Sequence, residues 1–479
     1  MRYIFGKAAV QMKSYKFEAF ATQFETNIRE GIFKPGQKLP SVRTLKQEYQ
    51  TSISTIQNGY EYLILRGLVQ SVPKSGYYVT SRVDIEPERP NVKLHPVVRD
   101  PIFKHHLELT TSRKAGPKVS EFNVTAPGDW MIPQKLLLRT MQHTIREQGA
   151  ALLRYFPPNG SVELRTNIIQ RASRYNTVIG LDELLISDGA LQALYIALAS
   201  VCQAGDIIAV ESPCVFSVLE VIRVLRLKVI EIPVDRQSGF DVDFLQKACR
   251  NNPVKAVVLT PNFHNPTGLL LKDDQKQALL SVAQRFNVAV IENDIYGELY
   301  FQGPRPATIR SFDESGIVMT YSSFAKTLAP GIRLGWLAAG KFMQRAEQIK
   351  FALGSTVSPL YQMTVNQLLT GNSYERHLRT FRMQLARNAY QAIQLLSENF
   401  PKEAFVITPS GGYNCWVKMP EYTEMERFYN QCEQIGVRFT PGYTFSFSGT
   451  FDKYFRMVFA DKFSEARVAA IRLAGQTSK

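Results

Sequence analysis

Five short apolar runs constrain this chain more than any other feature. They read "DIIAVESP" from Asp206, "LKVIEIPV" from Leu227, "VKAVVLTPN" from Val254, "NVAVIEND" from Asn287 and "GIVMTYSS" from Gly316. Each is a nearly unbroken series of Val, Ile, Ala and Leu, so both faces of the strand it forms must be buried. Helical patterns separate them, which gives repeated strand–helix–strand units and a mainly parallel sheet covered on both sides. Every run empties into a polar or glycine-bearing turn. In open α/β sheets of this kind, ligands bind outside the carboxyl ends of the strands.

The front of the chain has a different pattern. Phe17, Phe20, Phe24 and Ile28 form a helical stripe that ends at Gly31, and Pro35-Gly36 makes a turn. Ser41 is placed to cap a short helix running to about Tyr49, and Ser52 to cap another with Ile56, Tyr60 and Leu63 on its inner face. After Gly67, "LVQSVPKSGYYVT" reads as two short strands around Pro73-Lys74-Ser75-Gly76. This succession is the plan of a winged helix-turn-helix over residues 1–81. From Arg82 to Lys118, prolines 87, 90, 96, 101 and 117 interrupt a polar stretch with little periodicity, which reads as a linker to a second body at 119–479.

Charge supports that division. Residues 1–82 carry 12 Lys/Arg against 5 Asp/Glu, whereas 119–479 carry 38 against 32. The basic excess behind the net charge of +15 is therefore concentrated at the front, which fits a nucleic-acid contact. The five cysteines have no CxxC spacing, which speaks against a disulfide framework or a metal site and for a reducing compartment. There is no apolar leader and no run of 18 apolar residues, so the expectation is a soluble, cytoplasmic protein without membrane contact.

The strand ends carry a consistent set of groups. Gly189 and Ala190 open a helix whose free N–H groups suit a phosphate. "PNFHNPTG" fixes Asn265 in a turn, and "IENDIY" offers Asn293, Asp294 and the phenol of Tyr296. "YSSFAKTLAPGIRLGW" adds Ser323, Lys326 and Arg333. A phosphate cradle, an aromatic hydroxyl and a lysine set among small residues together suggest pyridoxal phosphate, because a desolvated amine condenses with an aldehyde.

On these motifs, residues 119–479 resemble a fold-type-I aminotransferase, along the whole domain and in the right order. "SSFAK" is similar to the family's Ser-x-x-Lys, which implies Lys326 as the Schiff-base residue and Ser323 on the phosphate. "APGIRLGW" resembles its second phosphate segment, with Arg333. The Asn-Pro-x-Gly turn implies that Asn265 bonds the cofactor's 3′-oxygen. "YFPPNGSVELR" resembles a segment in which Tyr155 reaches the neighbouring subunit's phosphate, implying a homodimer. "FRMVFA" resembles the late arginine strand, with Arg456 clamping a substrate carboxylate.

Two positions depart from that pattern. The family's ring-nitrogen partner is an aspartate three residues before the tyrosine, where this chain has Asn293, with Asp294 beside it. Either residue can fill the slot, and with Asn293 the electron sink weakens. In "ESPCVF", Val215 stands where an aromatic ring stacks on the cofactor in the family, and Phe216 follows it. Both changes lead us to expect weak or absent transamination with condensation at Lys326 intact.

Residues 14–80 resemble the GntR-type winged helix, through "PGQKLPSVRTL" and the wing segment "KSGYYV" with Gly76. The resemblance implies that Ser41, Arg43 and Lys74 contact phosphates or bases, and that Ser54, Thr55 and Gln57 lie where base edges are read. Ile53 stands where the family commonly has an arginine. The whole chain thus resembles the MocR arrangement: a winged helix-turn-helix, a linker, and a fold-type-I pyridoxal-phosphate domain with a smaller C-terminal α/β part. Such a chain is expected to bind double-stranded DNA and to sense an amino compound or amino acid. The rival reading is a metabolic aminotransferase with an accessory front domain; a cofactor-free DNA-binding protein fits less well, because the lysine and its companions are all present.

Overall fold

The computed structural model describes residues 16–65, 68–72, 75–79, 95–103, 120–235, 239–354 and 356–478. The chain divides into two compact units, Met1–Pro87 and Glu88–Lys479.

In the first unit, helices Lys16–Arg29, Val42–Glu48 and Ile53–Leu65 precede an antiparallel hairpin of Val69–Val72 and Gly76–Val79. Of the expected core, Phe20, Phe24, Ile56, Tyr60 and Leu63 are buried and Ile28 is half-buried, while the Phe17 side chain lies outside those described. Ser41 caps the second helix by accepting from the Thr44 N–H at 3.1 Å, and Ser52 caps the third through the Thr55 N–H at 3.1 Å. Tyr60 ties the unit together. Its ring stacks on Tyr77 of the hairpin at 3.9 Å, and its hydroxyl donates to the Pro40 carbonyl. Gly59 is required by the close approach of the first helix, since a Cβ there would lie 2.2 Å from the Phe20 ring.

The second unit is built on one large sheet. Its order is Val98–Arg99, Lys228–Asp235, Ile207–Ser212, Val254–Leu259, Ala289–Asn293, Val318–Ser323, Gly335–Ala338 and Leu184–Ser187, with Gly239–Phe240 also pairing on Lys228–Asp235. The five apolar runs supply five consecutive parallel strands. Gly335–Ala338 runs antiparallel to both neighbours. Helix Gly189–Val201 and its companions cover one face with Leu194, Ile208, Val210, Ile291 and Met319. Helices Val242–Asn251 and Asp273–Phe286 cover the other with Ala209, Ile230, Val257 and Val290. Neighbouring residues of a strand thus serve opposite cores, as strand geometry dictates.

A smaller C-terminal sheet pairs Phe405–Val406, Asn414–Lys418, Tyr454–Val458 and Thr440–Pro441. One part of the sequence reading changes here. Within the stretch read as linker, Val98 and Arg99 pair antiparallel with Ile230 and Val229, so these residues belong to the large sheet. The alternation that marks a longer strand is absent from a two-residue pairing flanked by prolines. Among the described residues no helix is long and apolar enough to cross a membrane.

Candidate functional site

Sheet register gathers the predicted groups at one end of the strands. Asn293 pairs with Tyr321, Ser323 pairs with Gly335, and Gly335 pairs with Ser187, just before Gly189. Lys326 follows three residues after the end of its strand.

The Lys326 amine donates to the Thr125 carbonyl, and its own carbonyl accepts from the Tyr413 hydroxyl. No carboxylate pairs with it among the described residues. Burial pushes its pKa down to about 8, and the cations Arg456 and Arg333 push in the same direction. The result is an amine that loses its proton close to neutral pH, as a nucleophilic lysine requires.

Beside it runs a buried polar chain. The Asn265 amide donates to the Tyr296 hydroxyl at 3.2 Å, and the Asn265 oxygen accepts from Arg456 Nη1 at 3.0 Å. Arg456 also donates to the Asn123 carbonyl at 2.7 Å and to the Thr440 hydroxyl at 3.0 Å. Its guanidinium lies 5.1 Å from the Phe445 ring centre and 5.9 Å from that of Phe216. Burial lowers Arg456 to about 10, so it stays charged at neutral pH. It has no carboxylate partner among the described residues, and its Nε is buried without a hydrogen bond. A buried cation left in this state is costly and is relieved by an incoming anion. Burial raises Tyr296 to about 12, against the opposing pull of Arg456 and Asn265, so its hydroxyl remains protonated.

A second cluster forms the cradle. Gly189 begins its helix at φ +73°, and a Cβ there would lie 2.9 Å from Arg333 Nη2. Arg333 itself adopts φ +45° and donates to the Asp188 carbonyl at 3.2 Å. Its Nε lies 3.4 Å from the Asp188 carboxylate. Ala190 follows Gly189 in the first turn. The Ser323 hydroxyl is committed locally, donating to the Leu334 carbonyl at 2.9 Å and accepting from the Ala325 N–H at 3.1 Å.

Asn293 and Asp294 have different surroundings. The Asn293 oxygen accepts from the Ile295 N–H at 3.1 Å. Both Asp294 oxygens are engaged, one by Asn262 at 3.0 Å and the other by an ion pair with Arg305. Tyr155 stands apart, 93% exposed. Val215 precedes helix Phe216–Val224 and packs against the core under the sheet, while the following ring, Phe216, faces Arg456.

Sequence reasoning missed Thr125, Asn123, Thr440 and Tyr413. Asn123 and Thr125 lie on a segment that returns from far up the chain and carries no motif, and backbone carbonyls leave no trace in a sequence. These groups fit the cofactor expected from the sequence: an amine for an aldehyde, a helix N-terminus and arginine for a phosphate, and a hydroxyl and amide for a ring oxygen.

In the front unit, Ser41 and Arg43 are exposed around the start of the second helix. The Ser54 and Thr55 hydroxyls bond Ser52 at 2.8 and 2.7 Å, and Gln57 is exposed. Gly76 opens the second hairpin strand at φ +119°. Lys74 lies outside the described residues.

Comparison with known proteins agrees with this organisation. Residues 128–471 match the family model "Aminotransferase class I and II", and residues 18–79 match "Bacterial regulatory proteins, gntR family". An uncharacterized HTH-type transcriptional regulator of Escherichia coli K12, YjiR, is 33% identical over 463 residues, 96% of this chain and 98% of its own. The HTH-type transcriptional regulator NorG of Staphylococcus aureus USA300 is 27% identical over 89% of this chain and 96% of its own. Among solved structures, LysN from Thermus thermophilus superposes with a TM-score of 0.71 at 25% identity, over 75% of this chain and 92% of its own. That structure is an alpha-aminoadipate aminotransferase complexed with N-(5′-phosphopyridoxyl)-L-leucine.

Proposed function

The chain belongs to the HTH-type transcriptional regulators that join a gntR-family winged helix to an aminotransferase class I and II domain, the MocR arrangement, and we propose that it senses an amino acid at Lys326. The observation that carries this reading is the pairing of a lysine lowered to about 8 with a buried, carboxylate-free Arg456.

Pyridoxal phosphate, when bound, supplies an aldehyde that condenses with primary amines and a ring that draws electrons from them. The remaining chemistry belongs to the chain. Lys326 would hold the cofactor through its amine, whose lowered pKa near 8 suits it to that attachment. Gly189, Ala190 and Arg333 would hold the phosphate, and Ser323 shapes the loop beneath. Tyr296 and Asn265 hold the ring oxygen. Arg456 receives the effector's carboxylate and, through Asn265, connects that event to the cofactor.

Asn293 occupies the ring-nitrogen position in this reading. The engagement of both Asp294 oxygens by Arg305 and Asn262 supports that assignment. A neutral amide there would do little to keep the ring nitrogen protonated, so the residues present suit binding of an amine better than turnover to a keto acid. Tyr155, exposed on its own chain, completes the site of a second copy, and the protein acts as a homodimer. Effector exchange shifts the body between conformations and so changes how the winged helices engage DNA.

The test is the visible absorption of the purified protein before and after candidate amino acids. Rapid spectral change with little keto-acid formation is expected. Steady turnover with 2-oxoglutarate at rates ordinary for an enzyme, roughly 1–10³ per second, would favour a catalyst over a sensor.

A further inference from the structure

Helix Ile53–Leu65 presents an unusual outer surface for a DNA-reading element. Its inner face is Ile56, Tyr60 and Leu63, each fully buried. Its outward residues are Ile53, Ser54, Gln57, Asn58 and Glu61. No lysine or arginine occurs anywhere along it. Ile53 is its first residue and is 46% exposed, although nothing in the helix requires an apolar side chain there. The Ser54 hydroxyl is engaged with Ser52 at 2.8 Å. The side chains of Gln57 and Asn58 have no hydrogen-bond partner among the described residues. Ile53 and Gln57, four residues apart, share one face with Cβ atoms about 5–6 Å apart. That spacing matches contacts to base pairs one or two steps apart.

We infer that this helix reads A·T pairs, with Ile53 against a thymine methyl group and Gln57, assisted by Asn58, on the edge of an adenine. The inference rests on the DNA-binding reading and specifies the sequence class recognised. In the major groove, guanine is read chiefly by arginine or lysine on O6 and N7, and this surface has neither. Adenine is read by the paired donor and acceptor of Gln or Asn, and thymine is distinguished by a methyl group that only an apolar contact detects. Residues at the N-terminus of such a helix reach deepest toward the bases, which is where Ile53 sits. Arg43, Lys46 and Lys38 are exposed elsewhere in the unit, and in this inference they serve phosphates. Affinity and base choice are thus carried by different residues.

Full-length protein is used to select duplexes from a random-sequence pool, and the enriched thymines are then replaced one at a time by deoxyuridine, which lacks only the methyl. At one position the wild type should lose about fourfold in affinity, the worth of one buried methyl-sized group, while Ile53→Ala should be indifferent to the same replacement. Gln57→Ala should relax the choice of base at an adjacent or next-but-one A·T pair and leave the uridine effect in place. Because both side chains are exposed, neither variant disturbs the core. Enrichment of G·C pairs at the centre of the half-site, or a wild type indifferent to every uridine, overturns the inference while leaving DNA binding intact. No salt-dependent DNA binding at all overturns the DNA-binding reading and the inference with it.

Discussion

Asp294 and Arg305 form a buried ion pair, both partners almost wholly removed from solvent, with the Arg305 guanidinium lying 3.4 Å from the Tyr175 ring centre. The pair anchors the turn after strand Ala289–Asn293 and engages the Asp294 carboxylate, which supports the proposed assignment of Asn293 to the ring-nitrogen position. Substituting Asn293→Asp should therefore place a carboxylate where none now exists. Transamination should rise by at least about tenfold, the equivalent of roughly 1.4 kcal/mol, with effector affinity changed much less. Single-turnover spectroscopy checks both quantities. An unchanged turnover would shift the assignment to Asp294. Arg305→Leu should instead destabilise the protein by about 3–5 kcal/mol, because it strands a buried charge, and denaturant unfolding reads that loss.

Lys326 yields a pH prediction. Its ammonium form cannot attack an aldehyde, and burial with two neighbouring cations lowers its pKa to about 8. Below that value the group is mostly protonated; above it the free amine predominates. The rate at which cofactor-free protein captures pyridoxal phosphate should rise with pH and level off above about 8, well below the 10.5 of an ordinary lysine. Stopped-flow absorbance measures the profile. Lys326→Ala should abolish the visible band altogether.

Arg456 should discriminate by carboxylate. Arg456→Gln is expected to weaken an amino acid by about 10–100-fold, the range for losing a charge-assisted hydrogen bond, while a matching amine without the carboxylate changes little. Titration of the visible spectrum with both ligands gives the comparison. Equal losses for the two would mean that Arg456 shapes the cavity without receiving an anion.

Arg43→Ala should reduce DNA affinity similarly for all sequences and lower the salt-dependence slope by about one contact's worth, ~0.9 in log–log terms. The visible spectrum should not move. Fluorescence anisotropy across a salt series separates this outcome from a change in base preference.

Tyr155 offers the assembly test. Sedimentation at micromolar concentration should show a dimer, and Tyr155→Ala should weaken cofactor retention although the residue is almost fully exposed on its own chain. A monomer that holds cofactor as tightly would contradict the shared site.

Much of this architecture was legible because buried parallel strands leave little freedom: Ile208 and Ala209 must both be apolar although they are neighbours, since each faces a different core. Caps were equally legible, because Ser41 and Ser52 are short polar residues just ahead of periodic apolar ones. Lys326, Asn265, Tyr296 and Arg456 lie within motifs, and the last three form one buried hydrogen-bonded chain. The Asp188–Arg333 pair was not foreseeable, since it depends on a left-handed turn at Arg333 that its own residue type does not signal. The commitment of the Ser323 hydroxyl to its loop was hidden for the same kind of reason: a motif names a residue and not the direction of its hydrogen bonds.

The pairing of Val98 and Arg99 on strand Lys228–Asp235 has a consequence for anyone who cuts this protein apart. That strand pairs with Ile207–Ser212 on one side, and among the described residues Val98–Arg99 pairs near its start on the other, while Gly239–Phe240 pairs with its last two residues. A body truncated at residue 119 would lose the first of these and present unpaired N–H and C=O groups beside Val229 and Ile230, a template for edge-to-edge association. A body beginning at 95 keeps Val229 and Ile230 paired. The shorter fragment should aggregate on concentration while the longer one stays dispersed, and light scattering of the two would show where the body begins.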